Sequence, residues 1–285
     1  MLRRLRKFLD RAFKKIGYEE TWEEFLSGYA MSTTALKRIP RHETQIIQVV
    51  GTPRSGSTLL ATMLDAHSQA VCLIEPYLAW LKHGEYEYNW DQLDRLDCEC
   101  FSRRQPQRLF AFLCAQTELS VIGFKETYRT PYHPTFPSQS FLEQNWSTGA
   151  VDATVAIIRD PRDTWSSVVR RHPHFRGDTG AMSELIHAWN ELCDWVGGED
   201  STVLRYEDLV SQPREIESVL ENIGLRAERR VRRPQGTAGY GDSRAQEGGG
   251  VDVSSVGKYR STLSDRVSRF IEAQCSEHMQ KFDYS

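Results

Sequence analysis

A chain of 285 residues with 39% hydrophobic and 26% charged side chains lies in the ordinary globular range. That excludes collagen-like, low-complexity and wholly disordered chains and leaves one large α/β domain or two small ones. The 36 Lys and Arg against 39 Asp and Glu give a net charge of −3 and a pI near 6.3, which argues against a general nucleic-acid binder.

The charge is unevenly spread. Residues 1–18 hold seven cations, Arg3, Arg4, Arg6, Lys7, Arg11, Lys14 and Lys15, against Asp10. That is a surplus of six, so the remainder of the chain carries −9. Leu2, Leu5, Leu9, Phe13 and Ile16 fall at helical spacing among these cations, which predicts a basic amphipathic helix over 2–16. Such a helix either lies on an anionic membrane surface or docks its apolar face on the domain. With no apolar h-region it does not read as a secretory signal, and no run approaches the ~20 apolar residues that cross a bilayer. The cysteines Cys72, Cys98, Cys100, Cys114, Cys193 and Cys275 are scattered and form no zinc pattern. The expected setting is a reducing cytoplasm, with no metal. Cys98 and Cys100 read as two small residues in an acidic segment rather than a redox pair.

Residues 1–44 are expected to be a lead-in and 45–285 one domain. Ile46, Ile47, Val49 and Val50 predict a buried strand. Gly51-Thr52-Pro53-Arg54-Ser55-Gly56-Ser57-Thr58 follows, and then Leu59, Leu60, Met63 and Leu64 at helical spacing. Val71–Ile74 predicts a second strand. An aromatic and acidic run follows, with Tyr77, Trp80, Tyr86, Tyr88 and Trp90. A helix is expected over 107–117, a strand from Ser120 to Phe124 ending at Lys125-Glu126, and a proline-broken loop over 130–139. Ala153–Ile158 is a further strand, closed by Arg159-Asp160-Pro161-Arg162-Asp163. The pre-proline position keeps Asp160 extended, and Asp163 is expected to cap a helix from Thr164. Helices over 181–196, 213–223 and 263–279, a short strand Val203–Arg205 and a mobile Gly-rich loop over 234–257 complete the pattern. Strands alternating with helices imply a three-layer α/β sandwich around a central parallel sheet.

The segment richest in chemistry is the Gly-containing turn between the first strand and its helix. Such a turn presents backbone N–H groups at a helix N-terminus and favours a phosphate. Gly51 and Gly56 have the spacing of GxxxxGK[ST], but Ser57 stands in the lysine slot that a nucleoside triphosphate needs. Arg54 sits inside the loop instead. Asp160 resembles a metal-binding aspartate after a strand, but Arg159 beside it works against Mg²⁺. These features weaken a P-loop nucleotide kinase, which stays a distant alternative beside a non-catalytic nucleotide-binding protein.

Four blocks in order resemble the sulfotransferases that use 3′-phosphoadenosine 5′-phosphosulfate (PAPS). They are Gly51–Leu60, Ile158–Ser167, Leu204–Val210 with Pro213, and Val256–Arg260 with Leu263. The resemblance implies a phosphate-binding turn like a P-loop, PAPS as donor with PAP as product, and no metal. It makes Thr52, Pro53, Arg54, Ser55, Gly56, Ser57 and Thr58 the 5′-phosphosulfate loop. Arg159 and Ser167 become the 3′-phosphate pair, with Lys258 and Arg260 further donor contacts; Ser254 and Ser255 lie in the same block. A guanidinium and a hydroxyl suit a phosphate. Arg54 is expected to stabilise charge on the leaving nucleotide, and Lys125 to lie near the donor sulfate.

The acceptor hydroxyl needs a base. Gly123-Phe124-Lys125-Glu126-Thr127-Tyr128 lacks the histidine of cytosolic members, whereas Glu75 holds the place of a glutamate in the branch that includes tyrosylprotein sulfotransferases. Asp65-Ala66-His67 also resembles that branch. Glu75 is therefore the expected base, its pKa raised toward neutrality by a half-buried cleft. The aromatic run from Tyr77 to Trp90 is expected to line the acceptor cleft. The expected acceptor is a small-molecule, glycan or lipid hydroxyl; a peptide tyrosine is the alternative. Arg229, Arg230, Arg232 and Arg233 read as a solvated basic face, and His67, His172 and His174 as ordinary polar positions.

Overall fold

The computed structural model describes residues 36–39, 43–115, 118–128, 139–198, 201–232 and 253–284. The expected basic helix over 2–16, most of the proline-broken loop and residues 233–252 of the Gly-rich segment lie outside the described residues.

Five strands form one sheet. In chain order, β1 (Gln45–Gly51) leads to α1 (Ser57–Asp65), β2 (Ala70–Ile74) and α2 (Pro76–His83). Then come α3 (Trp90–Arg95), α4 (Pro106–Cys114), β3 (Val121–Thr127), α5 (Gln139–Ser147) and β4 (Ala153–Ile158). α6 (Pro161–Arg171), α7 (Thr179–Val196), β5 (Thr202–Arg205), α8 (Tyr206–Ser211) and α9 (Ile216–Asn222) follow, and the order closes with α10 (Tyr259–Thr262) and α11 (Asp265–Lys281). The strand order is β2-β3-β1-β4-β5 and every pairing is parallel.

The strands read as continuous apolar runs because both faces of the sheet are covered. On one face Ile47 and Val49 of β1, Val121 of β3 and Val155 and Ile157 of β4 pack with Leu60, Met63 and Leu64 of α1 and Val219 and Leu220 of α9. On the other, Ile46, Val50, Phe124 and Ile158 join Tyr77, Phe110, Phe141, Trp165 and Trp189. This is the expected three-layer α/β sandwich.

From β1 the chain crosses to β2 at one edge, returns to β3 between β2 and β1, and then crosses to β4 and β5 on the other side of β1. The order therefore reverses beside β1, and the loops after β1 and β4 open at the same end of the sheet. Ligands in open α/β sheets bind in the crevice outside the strand C-termini at such a reversal.

Candidate functional site

The turn after β1 is shaped by two left-handed residues. Arg54 has φ 66 and Gly56 φ 96. Only glycine fits at 56, because a Cβ there would also meet the ring of Tyr206. A Cβ on Gly51 would meet the Ser55 hydroxyl. The turn closes through a Ser55 N–H to Thr52 carbonyl bond of 3.1 Å, and α1 starts without a side-chain cap. Its first N–H groups point into the turn as an uncapped helix end. The Thr52 Oγ1 and Ser55 Oγ hydroxyls are buried there with no hydrogen-bond partner among the described residues. Ser57 and Thr58 open α1.

The segment after β4 meets this turn. Arg54 Nε donates to Ser167 Oγ at 3.2 Å, so the arginine of one loop and the serine of the next helix share one place. Arg159, 5% exposed, donates to the Arg54 carbonyl at 3.1 Å and to the Ser255 carbonyl at 2.7 Å. Its guanidinium stacks 4.3 Å from the centre of the Tyr206 ring, and its Nε has no hydrogen-bond partner among the described residues. Tyr206 and Ser255 are joined hydroxyl to hydroxyl at 2.7 Å. Arg54, Ser167, Arg159 and Ser255 thus gather beside the uncapped start of α1.

One expectation about α6 is corrected. The helix begins at Pro161, and Asp160 caps it, accepting the Arg162 N–H at 2.8 Å. The pre-proline restriction gives Asp160 the extended ψ of 119 that a cap needs, and proline suits the first helical position. Asp163, inside the first turn, accepts the Gly257 N–H at 2.6 Å and the Tyr259 N–H at 2.8 Å instead. It ties the segment bearing Lys258 and Arg260 to α6. Lys258 is half-buried just before α10, and the exposed Arg260 stacks 4.9 Å from the Tyr259 ring centre.

A second group lies one strand over. Glu75 occupies the junction of β2 and α2 in a left-handed conformation, φ 47 and ψ 48. Its N–H donates to the Lys125 carbonyl at 2.7 Å. The Lys125 ammonium lies 2.6 Å from Glu75 Oε1, and the Thr127 hydroxyl donates to the same oxygen at 2.5 Å. Lys125 also donates to Thr127 Oγ1 at 2.8 Å. All three residues are buried. Gly51, which opens the turn after β1, pairs in register with Thr127, so the two groups stand on strands about 4.8 Å apart.

Three comparisons bear on this arrangement. The family model described as "Sulfotransferase family" matches residues 47–120, a stretch that contains the turn, α1, β2 and Glu75. A Caenorhabditis briggsae relative that carries the name of a protein-tyrosine sulfotransferase is 25% identical over 189 residues, 60% of this chain. The match spans 62% of that relative's length, less than two thirds of it. The matches support a sulfotransferase family. The sulfotransferase domain from the curacin biosynthetic pathway has a similar fold, with a TM-score of 0.58 at 18% identity over 82% of this chain and 98% of that one. The sulfotransferase domain from the Synechococcus PCC 7002 olefin synthase gives 0.60 at 18% identity, over 87% and 98%.

The sulfotransferase-like blocks meet in space, but several neighbours differ from expectation. Tyr77 and Tyr86 are not cleft residues. The Tyr77 ring packs against Phe124 and Phe141 at 5.5 and 4.9 Å between centres, and the Tyr86 hydroxyl donates to the Arg104 carbonyl at 2.8 Å. Both tyrosines are buried in the apolar cluster on that side of the sheet. Asp65-Ala66-His67 is a structural turn. Asp65 holds Arg95 at 2.8 Å and the Cys72 N–H at 3.1 Å, and His67 Nδ1 accepts the Gln69 N–H, so its Nε2–H donates to the Arg226 carbonyl. Arg230 and Arg232 are ion-paired to Glu228 and Glu217, as a solvated face would be. Among the described residues the cysteines are free, no His, Cys, Asp and Glu group has metal-holding geometry, and no helix is long and apolar enough to cross a membrane.

Sequence reasoning assigned no role to Tyr206, Thr127 or the Asp163 tie. Tyr206 lies in a recognised block, which was the available signal. Thr127 lies two residues beyond Lys125, on the same side of the strand.

Proposed function

We propose that this protein is a sulfotransferase that moves the sulfuryl group of PAPS to a hydroxyl of a small-molecule, glycan or lipid acceptor. The observation that carries the reading is the Arg54–Ser167 contact at the uncapped start of α1, with Arg159 bound to the Arg54 carbonyl. The buried Thr52 and Ser55 hydroxyls and the Arg159 Nε, which have no hydrogen-bond partner among the described residues, fit a ligand rich in phosphate oxygens.

PAPS, when bound, supplies an activated sulfuryl group and a leaving nucleotide. Residues 52–58 would hold its 5′-phosphosulfate through backbone N–H groups and hydroxyls. Arg159 and Ser167 would hold the 3′-phosphate, with Lys258 and Arg260 from the neighbouring segment. Arg54 would stabilise charge on the leaving side. Lys125 would face the sulfuryl group, and Glu75 would take the proton of the acceptor hydroxyl. The Lys125 ammonium and the Thr127 hydroxyl hold the Glu75 carboxylate in place for that step.

A peptide tyrosine is the second acceptor reading, favoured by the name of the Caenorhabditis briggsae relative. Incubation with radiosulfur-labelled PAPS and separate panels of tyrosine peptides, glycans, lipids and small hydroxylated molecules distinguishes them. Label is expected in one non-peptide panel. Label in peptides alone selects the second reading. No transfer to any panel, together with no binding of PAP, overturns the enzyme reading. Turnover of ATP with Mg²⁺ would favour the kinase alternative.

A further inference from the structure

Glu126 lies on β3 between Lys125 and Thr127 and is fully buried, at 0% exposure. Strand alternation sends it to the opposite face, the side of Phe124. Its Oε1 accepts the Tyr77 N–H at 2.8 Å, and its Oε2 has no hydrogen-bond partner among the described residues. Tyr77 is the second residue of α2, and Glu75 is the residue just before that helix. The Glu75 carbonyl accepts the Ala79 N–H at 2.8 Å, and its N–H reaches the Lys125 carbonyl. The unusual backbone of Glu75 is therefore held by β3 before it and by the first turn of α2 after it. Glu126 is the side chain that fastens that turn to β3.

We propose that Glu126 is a positioning residue for Glu75. By holding the first turn of α2 against β3, it fixes the left-handed bend that aims the Glu75 carboxylate at Lys125 and Thr127. The proposal rests on the reading of Glu75 as the acceptor base.

The charge state of Glu126 follows from its surroundings. The Glu75 carboxylate and the Lys125 ammonium across the strand and the Tyr77 phenol are the charged and titratable groups that act on it, while α4 and α5 contribute the apolar rings of Phe110 and Phe141 to the cluster that holds Tyr77. Lys125 is already bound to Glu75 and Thr127. A carboxylate with one unpaired oxygen in such a place is disfavoured. Burial, and then the charge of Glu75, hold the Glu126 carboxyl well above its usual range. The Tyr77 and Leu78 N–H groups and the Lys125 ammonium pull the other way. The anionic form of Glu126 is thus disfavoured, and its part in the structure is to accept the Tyr77 N–H.

Three substitutions in the full chain test this: Glu126→Gln, Glu126→Leu and Glu126→Asp. Turnover, its pH profile, PAP affinity by calorimetry and the infrared band of a protonated carboxyl are the readouts. Gln keeps the acceptor oxygen and the neutral charge, so Glu126→Gln should retain turnover and pH profile and lose the protonated-carboxyl band. Leu removes the acceptor and Asp withdraws it from Tyr77. Both should lower kcat by about tenfold to a hundredfold, the loss expected of a base displaced by about 1 Å, with PAP affinity within about threefold. Wild-type kcat in Glu126→Asp overturns the proposal, and that variant decides if Glu126→Leu fails to bind PAP. A pH profile displaced in Glu126→Gln also overturns it, because Glu126 would then carry charge beside the base. Failure of the base reading is seen separately, as a Glu75→Gln variant that keeps its turnover.

Discussion

The Lys125 ammonium and the Glu75 carboxylate meet at 2.6 Å in a buried site, with the Thr127 hydroxyl on the same carboxylate oxygen. Lys125 and Thr127 project from the same side of β3, so one strand supplies both partners. Glu75→Gln keeps the shape of the side chain but removes its capacity to take a proton. Turnover should fall by about 10²–10⁴-fold, the usual contribution of a positioned base, while PAP affinity stays within about threefold. Label transfer and calorimetry on the same preparation check this. Equal losses in both would show that Glu75 serves binding instead.

Arg54 is held at φ 66, a conformation that costs about 1–3 kcal/mol for a residue with a Cβ. Arg54→Ala removes the guanidinium and keeps that strain. Arg54→Gly removes both. Transfer should fall by about 10²–10³-fold in each, as for loss of one charge-stabilising donor. The melting temperature of the glycine variant should equal or exceed that of the alanine variant. Strain and catalysis are thereby separated at one position. Substantial transfer in Arg54→Ala would remove Arg54 from its assigned role.

The parts of this architecture legible in the sequence are those written in local pattern. Ile46–Val50, Val71–Ile74 and Ala153–Ile158 are mostly apolar, with Gln48 and Thr154 the polar exceptions, because both sheet faces are buried, and the turn after β1 announces itself by Gly51 and Gly56. What stayed hidden depends on pairs distant along the chain. Asp163 looked like a cap because a helix begins nearby, yet its oxygens are engaged by Gly257 and Tyr259. Tyr77 looked like a cleft wall because it follows Glu75, yet α2 turns it onto Phe124 and Phe141. Glu126 looked like a strand end, since nothing local reveals that its carboxyl meets the N–H of Tyr77.

Gly56 packs against the ring of Tyr206, which would floor the proposed donor site. A methyl at 56 would have to coexist with φ 96 and with the Tyr206 ring, whose Cε2 lies 2.8 Å from the added atom. Tyr206 supports Arg159 and binds Ser255, so displacing its ring disturbs both. Gly56→Ala should lose about 2 kcal/mol or more of stability from backbone strain and overpacking. PAP affinity should fall more than about tenfold, the size of one lost charge-assisted hydrogen bond. Denaturant unfolding and calorimetry measure the two. Unchanged PAP affinity would show that Tyr206 does not govern the donor site.

Glu207 lies beneath the start of α6. Its Oε1 accepts the Asp160 N–H at 3.0 Å and its Oε2 accepts the Tyr284 hydroxyl at 2.9 Å. Burial raises its pKa above the usual value, against the pull of those hydrogen bonds and of Arg159. A raised folded pKa means that the folded chain binds more protons than the unfolded chain. The slope of unfolding free energy with pH is then negative. The contribution of Glu207 is complete below the unfolded carboxyl value of about 4.3 and is lost as pH rises through the folded value. Gln at 207 stays neutral throughout and keeps an oxygen for the Asp160 N–H. The stability of Glu207→Gln relative to wild type should therefore rise as pH is taken from about 4.5 to 8, a range that starts at the unfolded carboxyl value. Urea unfolding of both proteins across that range measures the difference. A difference that does not change with pH would mean that Glu207 titrates alike in the folded and unfolded chains.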